Sequence, residues 1–156
     1  MNPIETTYYH SAVGWIRLQA TASHLCSTKA MVPPSEEEVH EPTSPILKEA
    51  VCQLKAYFAG ERQQFDLPLQ QSGTPFQQKV WQELQKIPYG EKISYQELAC
   101  RVGNPKACRA VGSANGENNI FILVPCHRVV RSTGQVGGFA YGSEMKEFLL
   151  QLEHKK

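Results

Sequence analysis

An α+β fold, strands first and helices after, is what the sequence predicts, and three features predict it. The first 30 residues hold Thr6-Thr7-Tyr8-Tyr9 and Val13-Gly14-Trp15-Ile16-Arg17-Leu18, rich in β-branched and aromatic side chains. Their partial alternation suits two or three short antiparallel strands. From Ser44 onward, helix start and stop signals recur. A five-residue apolar run, Ile120-Phe121-Ile122-Leu123-Val124, precedes Pro125 and reads as a buried strand. With 156 residues, 41% of them hydrophobic, the chain can fill one compact unit or two small packed ones.

After the strands, Val32-Pro33-Pro34-Ser35 and three glutamates form an exposed loop reaching about Thr43. Ser44-Pro45 then supplies an N-cap and a first-turn proline, and Gly60 a stop. Between them Ile46, Leu47, Val51, Leu54 and Phe58 recur at helical spacing. Thr74-Pro75-Phe76-Gln77 combines a capping box with another first-turn proline. Phe76, Val80, Leu84 and Ile87 form that helix's stripe, and Pro88-Tyr89-Gly90 ends it. Ser94-Tyr95-Gln96-Glu97 opens a short helix to about Arg101. Gly103-Asn104-Pro105 is a turn whose Asn104 caps a further helix over about 105–114. Two short helices around a glycine turn make a helix-turn-helix candidate. A last helix spans about 144–153, its apolar stripe Met145, Phe148, Leu149 and Leu152, with Glu153 at the stripe's edge.

The net charge is +1, but residues 92–131 carry six cations against two anions and are locally +4, leaving −3 elsewhere. An anionic partner such as a nucleic-acid backbone would need that asymmetry, and an ordinary solvated surface also accounts for it. No run approaches the roughly 20 apolar residues of a membrane span. The first ten residues lack a secretory signal, so an intracellular protein is expected, cytoplasmic in a prokaryote and nuclear in a eukaryote. Five scattered cysteines without a Cys-x-x-Cys pair speak for free thiols.

Three features bear on chemistry. Cys126 stands in Pro125-Cys126-His127-Arg128, where a histidine or guanidinium favours the nucleophilic thiolate. Adjacent side chains on a strand point to opposite faces, so the chain must turn here or a water must connect the pair. A buried inert cysteine is the commoner case. Glu153 could hold and polarise a histidine, or sit on a helix rim. The face of Ala107, Ala110, Val111 and Ala114 allows close approach to a neighbouring backbone or a narrow groove. His24, Cys26, His40 and Cys52 share no zinc spacing, and no phosphate-binding glycine motif is present.

The segment Ile122-Leu123-Val124-Pro125-Cys126-His127-Arg128-Val129-Val130 resembles the active-site signature of the 6-O-alkylguanine-DNA alkyltransferases, the methylated-DNA–protein-cysteine methyltransferases. Phe76-Gln77-Gln78-Lys79-Val80-Trp81, Ile87-Pro88-Tyr89-Gly90, Ser94-Tyr95-Gln96-Glu97-Leu98-Ala99, Gly103-Asn104-Pro105-Lys106-Ala107 and Arg109-Ala110-Val111-Gly112 support it in order. The likeness spans about Gly73 to Glu153. It implies a ribonuclease H-like N-terminal domain of residues 1–72, a small antiparallel sheet with a helix. This would pack on a mainly helical, winged-helix-like domain of residues 73–156 that binds DNA and transfers the alkyl group.

The resemblance implies a monomer that binds duplex DNA through the minor groove and flips a 6-O-alkylguanine out of the stack. The alkyl group moves irreversibly onto the protein's own cysteine, once per molecule, with the 4-oxygen of thymine a further candidate site and no cofactor or metal. Cys126 corresponds to the acceptor, His127 to a base acting through water, Glu153 to the carboxylate behind it and Asn118 to the hinge asparagine. Arg109 corresponds to the residue that fills the gap left by the base, and Tyr95 to the one that crowds the 3′ phosphate. Ala107, Ala110, Ala114 and Arg128 fall among DNA contacts. Tyr95, Val136, Gly137, Gly138 and Tyr141 fall at the pocket wall. Asn119 stands where many relatives have proline, and Thr21 where zinc-binding members have a cysteine. The alternative, a non-catalytic alkyltransferase-like lesion binder, would lack the acceptor cysteine.

Overall fold

The computed structural model describes residues 3–154. The chain divides into two compact units, Met1–Gln71 and Ser72–Lys156.

The first unit is a three-stranded antiparallel meander, β1 (Glu5–Ser11), β2 (Gly14–Ala20) and β3 (Leu25–Ala30), covered by helix α1 (Pro45–Phe58). Register runs from Glu5 opposite Ala20 to Ser11 opposite Gly14. Alternation places Ile16, Leu18 and Ala20 of β2 in the core. Leu47, Ala50, Leu54 and Tyr57 of α1 bury the matching helical stripe. Ser44 caps α1 by accepting from the Leu47 N–H, with Pro45 in the first turn. Gln53, 2% exposed, donates to the Asp66 carbonyl and accepts from the Asp66 N–H, fixing the segment after α1. That segment returns beside β3, where the Leu25 N–H donates to Pro68 and the Gln70 N–H to Leu25.

The second unit holds α2 (Pro75–Leu84), β4 (Ile93–Ser94), α3 (Tyr95–Arg101), α4 (Cys108–Gly116), β5 (Val129–Val130) and α5 (Ser143–His154). Thr74 and Gln77 close the expected capping box on α2. The Trp81 indole N–H reaches the Ala114 carbonyl at 2.9 Å and pins α2 to α4. Ser94 ends β4 and caps α3 through the Glu97 N–H, while the Glu97 carboxylate pairs with Arg101 at 2.7 Å. β4 runs parallel to β5, with Ile93 opposite Val129.

Four sequence expectations are corrected. Helix α4 starts at Cys108, not 105, because the Ala107 N–H closes a turn on the Asn104 carbonyl, and no side chain caps the helix. Helix α2 stops at Leu84, and Ile87 is buried in the turn that follows. The apolar run 120–124 is buried but is a turn rather than a strand. The Val124 N–H folds back to the Ile120 carbonyl and Ile122 takes φ +77°. Left-handed backbone is unfavourable for a β-branched residue, and Asn118 holds the turn from both ends. Its Oδ1 accepts from Ile120 N–H at 3.1 Å, and its Nδ2 donates to the Val124 carbonyl at 2.8 Å. Finally, α5 buries Lys146, Leu149 and Glu153, whereas Phe148 is 42% exposed. The helix is rotated so that two charged side chains face inward beside Leu149, while Met145 and Leu152 are only half-buried.

Candidate active site

Residues Cys126–Arg128 form one short 3-10 turn between Pro125 and β5. Three residues per turn send successive side chains about 120° apart. The turn therefore resolves the problem of two adjacent reactive residues. Cys126 lines a cavity of about 220 Å³, while His127 and Arg128 both reach Glu153 on α5.

The rear of the site is a buried charge cluster. His127 Nε2 lies 2.7 Å from Glu153 Oε2, with His127 0% and Glu153 1% exposed. Arg128 donates from Nε to Glu153 Oε1 at 2.8 Å, from a terminal nitrogen to Oε2 at 3.0 Å, and to the Ile87 carbonyl at 2.6 Å. Burial would raise the Glu153 carboxyl, but the hydrogen bonds and charges of His127 and Arg128 outweigh it and hold it at about 2. Burial lowers the His127 imidazole below its ordinary value, against the pull of Glu153. The neutral ring must then carry its proton on Nε2, facing the carboxylate. Nδ1 is left as a lone-pair acceptor, buried and without a protein partner.

At the front, burial pushes the Cys126 thiol up to about 11, eased by Asn118 and by the positive charge of Lys146. Asn115 donates to the Cys126 carbonyl at 3.2 Å and secures the turn to α4. The cavity is walled by Tyr95, Asn115, Asn118, Phe121, Gly138, Phe139, Ala140 and Tyr141. The Tyr141 ring lies 4.8 Å from that of Phe121 and 5.8 Å from that of Phe139. Because Ser94 ends β4 beside β5, Tyr95 begins α3 next to the cysteine turn. Gly112 of α4 faces the Tyr95 ring, where a Cβ would stand 3.8 Å away in ordinary contact.

The structure gathers Cys126, Asn118, Tyr95, Gly138 and Tyr141 around one cavity, with His127 and Glu153 behind it. Three assignments are corrected. Arg128 is 6% exposed and bound to Glu153 and Ile87, so it is not a DNA contact. Ala114 is 3% exposed beneath Trp81, because the inward face of α4 is Val111, Ala114 and Asn115. Val136 lines a separate groove with Glu91, Lys92 and Glu147 rather than the cavity, while Gly137 stays beside the Tyr95 ring of the cavity wall, next to Arg131. The outward face of α4 is Arg109, Ala110, Ser113 and Gly116, with Ala107 half-buried at its start. Sequence reasoning missed Asn115, Phe121 and Lys146. The spacing of Lys146, Leu149 and Glu153 on one helix face was the available signal, hidden because two of the three are charged.

Comparison with known proteins defines the class to which this arrangement belongs. Residues 4–71 match the ribonuclease-like domain of 6-O-methylguanine DNA methyltransferase, and residues 75–155 match its DNA binding domain. The chain belongs to this family. It is 57% identical over 111 residues to the constitutive methylated-DNA–protein-cysteine methyltransferase of Bacillus subtilis, covering 70% of this chain and 67% of that protein. It is 52% identical over 125 residues to the Methanosarcina acetivorans methylated-DNA–protein-cysteine methyltransferase, covering 80% and 78%. The crystal structure of Mycobacterium tuberculosis OGT in complex with DNA is 43% identical, with a TM-score of 0.87 over 96% of this chain and 92% of that one. Among the described residues, no helix is long and apolar enough to cross a membrane.

Proposed function

We propose that the protein repairs DNA by moving an alkyl group from the 6-oxygen of guanine onto Cys126, once per molecule. The observation that carries this is a buried cysteine on the cavity wall, backed by a His127–Glu153 pair, in the unit that bears the helix-turn-helix. DNA is the partner, and the enzyme is a methylated-DNA–protein-cysteine methyltransferase. In the transfer, the Cys126 sulfur forms a bond to the alkyl carbon as the bond from that carbon to the guanine oxygen breaks. The electron pair stays on the purine. His127 Nδ1 takes the thiol proton through a water, and Glu153 stabilises the imidazolium. The thioether product is a poor leaving group, so the protein is consumed.

Several features support the finer reading. A reacting atom inside a stacked duplex is out of reach, so the base must be extruded, at a cost of a few kcal/mol. The outward face of α4 presents alanine, serine and glycine, which fit a minor groove about 6 Å wide. Arg109 stands exposed on that face, where it can fill the gap left by the base. Tyr95 stands at the cavity mouth, and its bulk crowds the backbone beside the lesion. The two units serve as separate domains, the second carrying both DNA binding and chemistry, and the protein acts as a monomer. A non-catalytic binder has no use for a cavity-facing cysteine backed by a histidine and a carboxylate. The test is transfer of a radiolabelled methyl group from duplex DNA to protein, followed by peptide mapping. Label on Cys126 supports the reading, and DNA binding without label would favour the lesion binder.

A further inference from the structure

Two cysteines that alkyl transfer does not use stand on the two helices of the helix-turn-helix, Cys100 near the end of α3 and Cys108 at the start of α4. The Gln96 side chain joins them. Its Nε2 donates to the Cys100 sulfur at 3.8 Å and to the Pro105 carbonyl at 2.9 Å, and its Oε1 accepts from the Cys108 thiol at 3.1 Å. Both sulfurs therefore rest against one amide group. Cys100 is exposed and Cys108 half-buried. The two ends of α4 are held differently. No side chain caps its start, whereas near its far end the Ala114 carbonyl accepts from Trp81 and Asn115 donates to the Cys126 carbonyl.

We propose that Cys100 and Cys108 are a modification site, a dithiol that a low-molecular-weight disulfide closes to an intramolecular disulfide, and that closure weakens duplex binding. The exposed Cys100 thiolate attacks one sulfur of the oxidant, forming a mixed disulfide and expelling one thiolate. The Cys108 sulfur then attacks the Cys100 sulfur and expels the second. The two protein thiols are oxidised, the oxidant is reduced to two thiols, and the two cysteine protons end on them. Lys106 and Arg109, exposed on either side of Cys108 in the chain, favour an anionic oxidant such as glutathione disulfide. A disulfide sets its sulfurs about 2 Å apart, which leaves no room for the Gln96 amide between them. The bond from Gln96 to Pro105 is lost with it, and the uncapped start of α4 moves toward α3. Its far end stays pinned, so the helix tilts and carries Arg109 and Ala110 away from the groove. The disulfide stands on the thiol geometry alone, while its effect on DNA rests on the reading of α4 as the groove-facing helix.

The test incubates the full-length protein with glutathione disulfide, blocks the remaining thiols with iodoacetamide and digests without reduction. Trypsin cuts after Arg101, Lys106 and Arg109, so the disulfide is read as residues 93–101 joined to residues 107–109. Affinity of the oxidised protein for undamaged duplex, followed by fluorescence anisotropy, should fall about tenfold, equivalent to about 1.4 kcal/mol, and return on reduction with dithiothreitol. Single-turnover reaction with a free 6-O-alkylguanine base should stay near the rate of the reduced protein, because Cys126 and its turn are untouched. Cys108→Ala should trap glutathione on Cys100 as the mixed disulfide. The double variant Cys100→Ala/Cys108→Ala should bind duplex as the reduced wild type does, with or without the oxidant. Separate glutathione adducts on the two cysteines, disulfides that link two molecules, no reaction at either cysteine, or a closed disulfide that leaves duplex affinity unchanged would each overturn the proposal. Failure of the reduced protein to bind duplex or to react at Cys126 would instead defeat the alkyl-transfer reading itself.

Discussion

The two units of this chain bury polar groups of different kinds. In the N-terminal unit the buried polar side chains are Thr7, Ser27, Thr28 and Gln53, all neutral. In the C-terminal unit they include His127, Arg128, Lys146 and Glu153, all ionisable. Gln53 satisfies a backbone segment and thereby serves the fold alone. Glu153 accepts from both His127 and Arg128 and so joins α5 to the cysteine turn. A buried ion pair is weak evidence for stability, since a well-packed apolar replacement often does as well. Its concentration in one unit marks where stability has been exchanged for chemistry.

Substitution of the two buried clamps should separate these roles, and the largest effect lies at Glu153. Glu153→Ala leaves the Arg128 cation buried without its carboxylate and should destabilise the protein by about 3–5 kcal/mol. Urea denaturation would measure this loss, and label transfer by any folded fraction should be nearly absent. Gln53→Ala leaves the Asp66 N–H unpaired and should cost about 1–3 kcal/mol, with the single-turnover rate unchanged. Equal effects of the two changes on transfer would erase the distinction between the units.

Acid titration sharpens the same contrast. The Glu153 carboxyl is held at about 2, below its ordinary 4.5, so its stabilisation is full above 4.5 and is lost as pH falls through 2. His127 is held below its ordinary 6.5, so the unfolded chain takes up a proton there that the folded chain refuses, and stability declines as pH drops below that value. Thermal melts from neutral to acid pH should show Tm falling in both ranges. Glu153→Gln should flatten the lower range. A Tm independent of pH below neutrality would contradict the charge cluster.

Within the C-terminal unit, the inward and outward faces of α4 give a finer comparison. Arg109→Ala should depress repair of duplex DNA strongly while leaving reaction with a free alkylated base near wild type, as single-turnover assays on the two substrates would reveal. Ala110→Leu, on the same face, should weaken duplex binding by a smaller factor. Binding of both should fall with salt, since phosphate contacts release counterions. Equal losses on duplex and free base would remove Arg109 from the role of replacing the base.

Much of this organisation was legible before the structure. Ser44, Thr74 and Ser94 each cap the helix they mark, because capping is a local rule that tertiary packing seldom overrides. Cys126, His127 and the distant Glu153 stood out as candidates from the residues alone, but an inert cysteine and a rim glutamate were also open readings, and only the resemblance joined them into one site. What escaped was set by particular side-chain bonds and by packing, which composition does not reveal. The run 120–124 has the composition of a strand, and only Asn118, bonded to both ends, makes it a turn. Arg128 and Lys146 have the composition of surface residues, and only the site explains their burial. Ala114 belongs to a small-residue face that turns partly inward with Val111 and Asn115, and its carbonyl accepts from the Trp81 indole.

Intact mass spectrometry after incubation with excess 6-O-methylguanine duplex tests the central claim most directly. The account predicts a gain of one methyl group per molecule, localised to Cys126, with repair halting at that stoichiometry and absent in Cys126→Ala. Substitution of Cys26, Cys52, Cys100 or Cys108 should leave it intact. Continued demethylation with unmodified Cys126, or methylation of another residue, would contradict it.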